Sequence, residues 1–508
     1  MQLVSKSSRQ NDPRKYINTR ALIASLIKEN VGFEGAQAVV RVLDSKNIFL
    51  KLFWVFCLLV SNLVCGYLLV QTLLTYLDFQ VYTTTTTVHE TPAVFPKITI
   101  CNSALTTTKY ALNLIKEINN ELSPGISIFD ENPLKNMSFK NRLEFLFQFT
   151  ILINTKIQSL PDESKKMLVH SLDDILIYCQ FNNQQCTSAD FFWRYDPVYG
   201  NCYSFNSGFN STGSVNDLKT SLIPGAMFGL SLMVYVGYNE QLNVYNTGWL
   251  SYAPFTHIYG LNVLIENNTY LTSNNMNFIG LDGGSINYMP IQRKFSLKMP
   301  HPYSQCDLDN DSPGHFDSVF YESFLNSPYQ YGQDLCIIEC LQQKALQKCN
   351  CTLAYFFSFS RKSCQNDNQQ KCVLDFFFNS KLLTPTSLAC LSQCPLECNA
   401  TEFTFSVTSQ RSSGSGYTSL INENPNLSSD FNTTPINSDT TSNKFVQLNV
   451  FYDSLTYSIS TDTPSMDIVS FLANIGGTVG LFAGLSLLSI CEIMHVLFEI
   501  CFTGKIKP

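Results

Sequence analysis

From Ile468 to Cys491 the chain runs for 24 residues without a charge, and its middle, Asn474 to Ser489, reads NIGGTVGLFAGLSLLS. Glycines at 476, 480 and 484 recur every four positions, so in a helix they share a face along which backbones can approach closely. Asn474, Thr478, Ser486 and Ser489 bring amide and hydroxyl groups into this apolar run. Polar groups at bilayer depth commonly line a water-filled path. Carbonyl and hydroxyl oxygens at a narrow constriction replace water around a small cation, so the chemistry these residues suit is ion coordination. Plain helix packing, and a serine bonded back to its own helix, are the competing uses. One helix cannot surround a path, so conduction requires an oligomer.

Cysteine supplies the second kind of chemistry. Of eighteen, Cys57, Cys65, Cys491 and Cys501 lie in or beside apolar runs, and fourteen lie between them, nine within Cys336 to Cys398. An even, clustered set reads as a disulfide-stapled subdomain in an oxidising compartment, although spacing alone leaves the pairing open. Zinc would need histidines or paired Cys-x-x-Cys knuckles, and the cluster has neither. No nucleophile elbow is present, since Gly480 to Gly484 encloses Phe482, so neither enzyme chemistry nor a cofactor is expected. A net charge of -7 with no basic cluster excludes nucleic acid as a partner.

The elements that hold these groups follow from composition. Charged residues make up 14% of the chain where about 25% is usual, so part of it faces something other than water. Leu52 to Leu77 is a second uncharged run, of 26 residues, and about 20 helical residues cross a bilayer. The expected layout is a cytoplasmic N-terminus (1–51), a first span (52–77), an extracellular domain (78–467), a second span that forms the pore (468–491), and an inner mouth and cytoplasmic C-terminus (492–508). Nine Lys/Arg against four acids before residue 52, and Lys505 and Lys507 at the end, put both termini inside. The loop keeps 22 bases against 34 acids and is acidic. All eight glycosylation sequons (Asn136, Asn210, Asn267, Asn310, Asn350, Asn399, Asn426, Asn432) fall in it, consistent with a luminal origin. Leu335 to Lys348 reads as a helix with Cys336 and Cys340 on one face. Lys97–Ile100, Leu230–Val236 and Val446–Tyr452 read as strands, and the threonines 83–87 as an extended exit from the first span. Residues 408–443, rich in Ser, Thr and Asn, read as a surface insertion. The fold class expected is α+β, two transmembrane helices flanking a disulfide-rich domain of strands and peripheral helices.

Phe95-Pro96-Lys97-Ile98-Thr99-Ile100-Cys101-Asn102 resembles the FPxxTxCN signature of the degenerin/epithelial sodium channel family, which includes acid-sensing and peptide-gated channels. Gly476-Gly477 followed by Gly480-Leu481-Phe482-Ala483-Gly484-Leu485-Ser486 is similar to its pore segment with a Gly-x-Ser filter. The resemblance implies a sodium-preferring homo- or heterotrimer of related subunits in the plasma membrane, amiloride-sensitive, embedded in lipid and gated from outside. It assigns Gly484, Leu485 and Ser486 to the filter, and Ala473, Asn474, Gly477, Gly480, Glu492 and Glu499 to the pore and gate. It implies the bridges Cys101–Cys202, Cys179–Cys186, Cys306–Cys398, Cys336–Cys394, Cys340–Cys390, Cys349–Cys372 and Cys351–Cys364, and an aromatic coupling of Tyr82 with Tyr303. The chain departs from the pattern at several points. The cytoplasmic His-Gly gating motif becomes Glu34-Gly35, the acid before the paired glycines becomes Asn474, and His495 replaces an inner acid. Leu374 and Phe378 stand where the acid-sensing branch has carboxylates.

The function expected is a sodium-selective cation channel subunit gated by an extracellular stimulus. The acidic loop favours a cationic peptide over a proton or constitutive opening. A two-span glycosylated scavenger or lipid-binding receptor shares the topology but has no use for Gly484-Leu485-Ser486. An ATP-gated channel would need a basic triphosphate cluster that the loop lacks.

Overall fold

The computed structural model describes residues 46–104, 107–122, 156–196, 199–209, 217–237, 260–271, 278–307, 316–353, 356–360, 366–412 and 443–484, with a few single residues besides. It divides into two compact units, residues 1–82 with 463–508, and residues 83–462. Helix α1 (Ile48–Leu77) is followed by strands β1 (Val81–His89) and β2 (Lys97–Asn102) and helix α2 (Lys109–Leu122). Next come strands β3 (Leu176–Phe181), β4 (Phe191–Asp196), β5 (Gly200–Phe205), β6 (Leu230–Tyr235), β7 (Gly260–Glu266), β8 (Ile279–Asp282) and β9 (Ser285–Leu297). Helices α3 (Val319–Leu325), α4 (Gln333–Cys349), α5 (Asp367–Phe378) and α6 (Ser380–Leu391) form a block, and β10 (Asn399–Phe405), β11 (Thr408–Arg411), β12 (Phe445–Pro464) and α7 (Ile468–Ala483) complete the chain.

In the first unit, α1 is 30 residues long and apolar enough to cross a membrane. It starts at Ile48, four residues before the uncharged run, because a helix continues through a lysine such as the exposed Lys51 as readily as through leucine. The 16 described residues of α7 span about 24 Å at 1.5 Å per residue. The remainder of the expected second span, to Cys491, lies outside the described residues. Asp467 starts α7 by accepting a hydrogen bond from the Ser470 N–H at 2.8 Å, a standard N-cap.

The second unit is α+β. Its larger sheet runs β10-β9-β12-β6-β3 to the short strand Gln184–Gln185, with β1 added on β12 and β11 on β9. The smaller sheet runs β8-β7-β2-β5-β4, all antiparallel. Phe95, Ile98, Ile100, Phe205 and Val263 share one buried core with Leu232, Val234, Met289, Ile291, Leu448 and Val450 of the larger sheet. Phe95 is fully buried, edge-on to Phe181, Phe205 and Tyr452, which explains why the segment opens on an aromatic. All six residues of β2 are buried, Lys97 included. Gly229 lies so close to β12 that a Cβ there would stand 2.1 Å from the Val450 carbonyl oxygen, which leaves room for glycine alone.

Strands β9 and β12 run parallel, and their register jumps from Ile291 opposite Tyr452 to Arg293 opposite Tyr457. The residues of β12 between Tyr452 and Tyr457 therefore bulge. The Leu455 carbonyl in the bulge accepts the Glu90 N–H at 3.0 Å, so the chain leaving β1 satisfies it. Beside it Arg293 pairs with Glu90 and lies over the rings of Phe295 and Tyr457, 4.9 and 5.0 Å from their centroids.

Composition misleads at one place. The stretch expected to be a surface insertion begins with a strand, β11, which pairs antiparallel with Ser285–Tyr288 of β9. All four of its residues are exposed. A strand on a sheet's margin needs only backbone partners and can carry polar side chains on both faces, so its sequence shows no alternation.

Candidate functional site

In the first unit α1 and α7 pack antiparallel. Tyr76 stacks on Phe471 with ring centroids 4.4 Å apart, and the Ser61 hydroxyl donates to the Phe482 carbonyl at 2.7 Å. On α7 the partly covered residues are Phe471, Ile475, Thr478, Val479, Phe482 and Ala483. Ala473, Gly477, Gly480 and Gly484 recur at intervals of four, three and four, which is one helical stripe. That stripe points away from the covered face, and all four residues are exposed. Among the described residues, a Cβ on Gly476 or Gly477 would meet nothing within 4 Å. Asn474, also exposed, stands on its flank, and Thr478 falls instead on the face turned to α1.

At the end of the stripe the helix stops. Gly484 has φ +65° and ψ 20°, the left-handed conformation, and its N–H bonds to the Gly480 carbonyl at 3.1 Å. Only glycine enters this region without cost, so its position at the first residue of Gly-Leu-Ser sets where the α-helix breaks. Leu485 and Ser486 lie outside the described residues, as do Glu492 and Glu499 and the N-terminal Glu34 and Gly35.

In the second unit, seven bridges join Cys101–Cys202, Cys179–Cys186, Cys306–Cys398, Cys336–Cys394, Cys340–Cys390, Cys349–Cys372 and Cys351–Cys364. These are the seven pairs that the family resemblance implies. Five of them act on the α3–α6 block. Cys336 and Cys340, on one face of α4, tie it to α6 and the turn after it, and Cys349 ties its end to α5. The threonines of β1 meet β12 through their hydroxyls. Thr83 donates to the Asp462 carboxylate at 2.7 Å, Thr84 to the Thr461 carbonyl at 3.2 Å, and the Thr85 and Ser460 hydroxyls lie 3.3 Å apart. Tyr82, exposed, stands in the first unit at the start of β1, and half-buried Tyr303 closes a turn by donating its N–H to the Pro300 carbonyl in the second. Of the sequons, Asn267, Asn350 and Asn399 are described. The Asn267 amide donates to Gln330 at 2.6 Å, whereas Asn350 and Asn399 are exposed. Asn136, Asn210, Asn310, Asn426 and Asn432 lie outside the described residues.

Sequence reasoning missed three groups of buried charge. Lys97 pairs with Glu266 at 3.1 Å and donates to the Tyr270 carbonyl; burial lowers its pKa, and Glu266 pulls the other way. The Tyr270 hydroxyl donates to Asp334, in the first turn of α4, at 2.6 Å, and burial followed by that carboxylate pushes the phenol up. The two contacts link β2 to the base of the helical block. On α4 Glu339, 2% exposed, accepts bonds from Gln343 at 2.6 Å and from the Phe359 N–H at 3.0 Å. Burial raises its pKa, and the bonds from Gln343, Phe359 and Ser358 offset this in part. A lysine at the head of a strand that carries Ile98 and Ile100, and a glutamate between two cysteines on a buried helix face, were the available signals.

Glu339 has a pH consequence. Its folded-state pKa is raised, so the folded chain takes up the proton more readily than the unfolded one. As pH falls through the raised value toward the ordinary carboxylate range, the destabilisation its charge causes is relieved. Glu339→Gln is expected to melt above wild type where carboxylates are ionised, with the gap narrowing as pH falls into the ordinary carboxylate range, in thermal unfolding of the purified full chain. A gap that does not change with pH would mean that Glu339 is not charged in the folded block.

The family model described as amiloride-sensitive sodium channel matches residues 29–496. The chain belongs to that family. Among curated proteins, it is 26% identical over 354 residues to epithelial sodium channel subunit alpha of Mus musculus, covering 68% of this chain and 45% of that protein. It is 26% identical over 344 residues to subunit gamma of Xenopus laevis, covering 66% and 47%. Degenerin-like protein unc-105 of Caenorhabditis elegans is 22% identical over 350 residues, covering 67% and 36%. The chain thus spans about half the length of these relatives or less. The epithelial relatives are named as channel subunits, not enzymes, and nothing among them favours a scavenger receptor.

Proposed function

We propose that this amiloride-sensitive sodium channel family member is a subunit of a sodium-selective cation channel, with α1 and α7 crossing the plasma membrane and residues between them outside. The observation that carries the reading is the stripe of Ala473, Gly477, Gly480 and Gly484, exposed on the face of α7 opposite α1 and ending in a left-handed glycine. Among the described residues, a Cβ on Gly477 of this stripe would meet nothing within 4 Å. In a homo- or heterotrimer the stripes of three copies would face a common axis, close because they carry no large side chains. The break at Gly484 would turn backbone carbonyls, and next to them the Ser486 hydroxyl, toward a partly dehydrated sodium ion. Glu492 and Glu499 would supply cation-attracting rings at the inner mouth. Both termini are cytoplasmic in this reading, and the loop carries N-glycans.

Gating is a population shift. A stimulus opens the pore only by the difference between its affinities for the open and closed outer domains. The acidic outer domain suits a cationic peptide. Its signal would pass from the bridged helical block through the sheets to the β1–β12 ribbon, which continues into both membrane helices.

Expressing the chain alone and with related subunits in a cell with low background conductance tests this. The reading requires an inward current that disappears when external sodium is replaced by a large organic cation and that amiloride blocks. A chain present at the surface, silent in every combination under peptides and acid steps, and binding lipid particles instead would favour the receptor.

A further inference from the structure

The sequon Asn350-Cys351-Thr352 is built into a disulfide knot. Asn350 caps the C-terminal end of α4 in the left-handed conformation, φ 59°, exposed, and its side-chain oxygen accepts from the Lys362 ammonium at 2.6 Å. Cys351, fully buried, is bridged to Cys364, and Cys349 to Cys372. Thr352 is buried too. Its hydroxyl donates to the Lys362 carbonyl and accepts the Lys362 N–H, each at 3.1 Å, while its own N–H bonds to the same carbonyl at 2.9 Å. An oligosaccharyl acceptor must present its asparagine amide and the hydroxyl two residues on together, in an accessible backbone. Here the amide is at the surface, and the hydroxyl is locked inside the loop that Cys351–Cys364 closes.

We propose that Asn350 is an N-glycan acceptor only while the Cys351–Cys364 bridge is open, so that closure of this one loop decides whether the helical block carries a sugar. The proposal rests on the luminal placement of the outer domain in the reading above. In the transfer, the Asn350 Nδ2 forms a bond to the anomeric carbon of a lipid-linked oligosaccharide. The bond from that carbon to the pyrophosphate oxygen breaks, lipid pyrophosphate leaves, and one amide proton passes to the medium. Asn350 keeps one N–H, and its Oδ1 remains free to accept from Lys362. The two reactions compete in time. Cys364 follows Cys351 by 13 positions, so it enters the lumen about 0.7–2.6 s later at 5–20 residues per second. The Cys349–Cys372 loop, with a separation of 23, is longer and costs more entropy to close, so the bridge inside the sequon is the faster competitor.

The test uses the full chain with Asn350 as its sole sequon, the other seven being Asn→Gln, and reads the endoglycosidase-sensitive gel shift after a short metabolic pulse. Adding Cys364→Ser is expected to raise the glycosylated fraction at least twofold, and a dithiothreitol pulse to do the same in the chain that retains Cys364. Thr352→Ala abolishes the shift in both. The readout precedes folding, so misfolding of the Cys364→Ser chain does not obscure it. Equal fractions with and without Cys364, or no glycan in either, overturn the proposal. Absence of any shift in the wild-type chain with all eight sequons overturns the luminal placement, and the proposal falls with it.

Discussion

Replacing Ala473 by tryptophan is expected to raise the resting current at constant surface number by about tenfold or more. Ala473 heads the exposed stripe of α7, on the face that α1 leaves uncovered. In the proposed trimer, closure would bring three such stripes together and leave no room for an indole. Overpacking costs about 1–3 kcal/mol per site in a packed interior, and a penalty of about 1.4 kcal/mol on the closed state alone shifts the equilibrium tenfold. Whole-cell current normalised to surface-biotinylated protein provides the measure. A mutant at the surface with wild-type resting current would mean that Ala473 does not approach its copies in the closed state.

Cys340→Ser should be strongly damaging to the outer domain. The bridge to Cys390 closes a loop of 50 residues, for which the chain-entropy model gives about 4 kcal/mol. A domain's net stability is only about 5–15 kcal/mol. Cys340 is fully buried beside Leu341, Ala345 and Val373, so the substitution also strands a hydroxyl among apolar groups. Surface biotinylation is expected to show most of the mutant retained inside the cell, with disulfide-linked species on non-reducing gels from the freed Cys390. Cys340→Ala with Cys390→Ala should recover part of the surface signal, since it removes the stray thiol and the stranded hydroxyl. A single mutant that reaches the surface and responds normally would show that this bridge contributes little to the block.

What could be read from the sequence differs by element. Helix α1 was legible because 26 uncharged residues in a row read as one long apolar helix, and strand β2 because Lys97 to Ile100 alternates polar and apolar residues, an alternation that did not show that all six of its residues are buried. The helix α4 was legible too, because its cysteines stand four apart. The pairing of those cysteines was not open to spacing, and only the resemblance of the whole chain to a family supplied it. The bulge in β12 and the Glu90–Arg293 pair beside it were invisible, since they join segments far apart in sequence and neither residue stands out where it occurs. The stripe on α7 was half legible. Periodicity found Gly476, Gly480 and Gly484, but the face turned from α1 is centred on Ala473, Gly477, Gly480 and Gly484, and only the packing of Phe471 and Phe482 against α1 identifies it.

The account depends most on Gly484-Leu485-Ser486 as the place where sodium is selected. Reversal potentials with sodium outside and potassium inside test it directly, in the wild-type chain and in Ser486→Ala, Ser486→Cys and Leu485→Val. The account predicts a fall in the sodium-to-potassium permeability ratio with Ser486→Ala, a larger fall with Ser486→Cys, whose sulfur is a poor ligand for a hard cation, and a smaller change with Leu485→Val. A ratio unchanged in both serine mutants, with current intact, would contradict it and move selection toward Glu492 and Glu499.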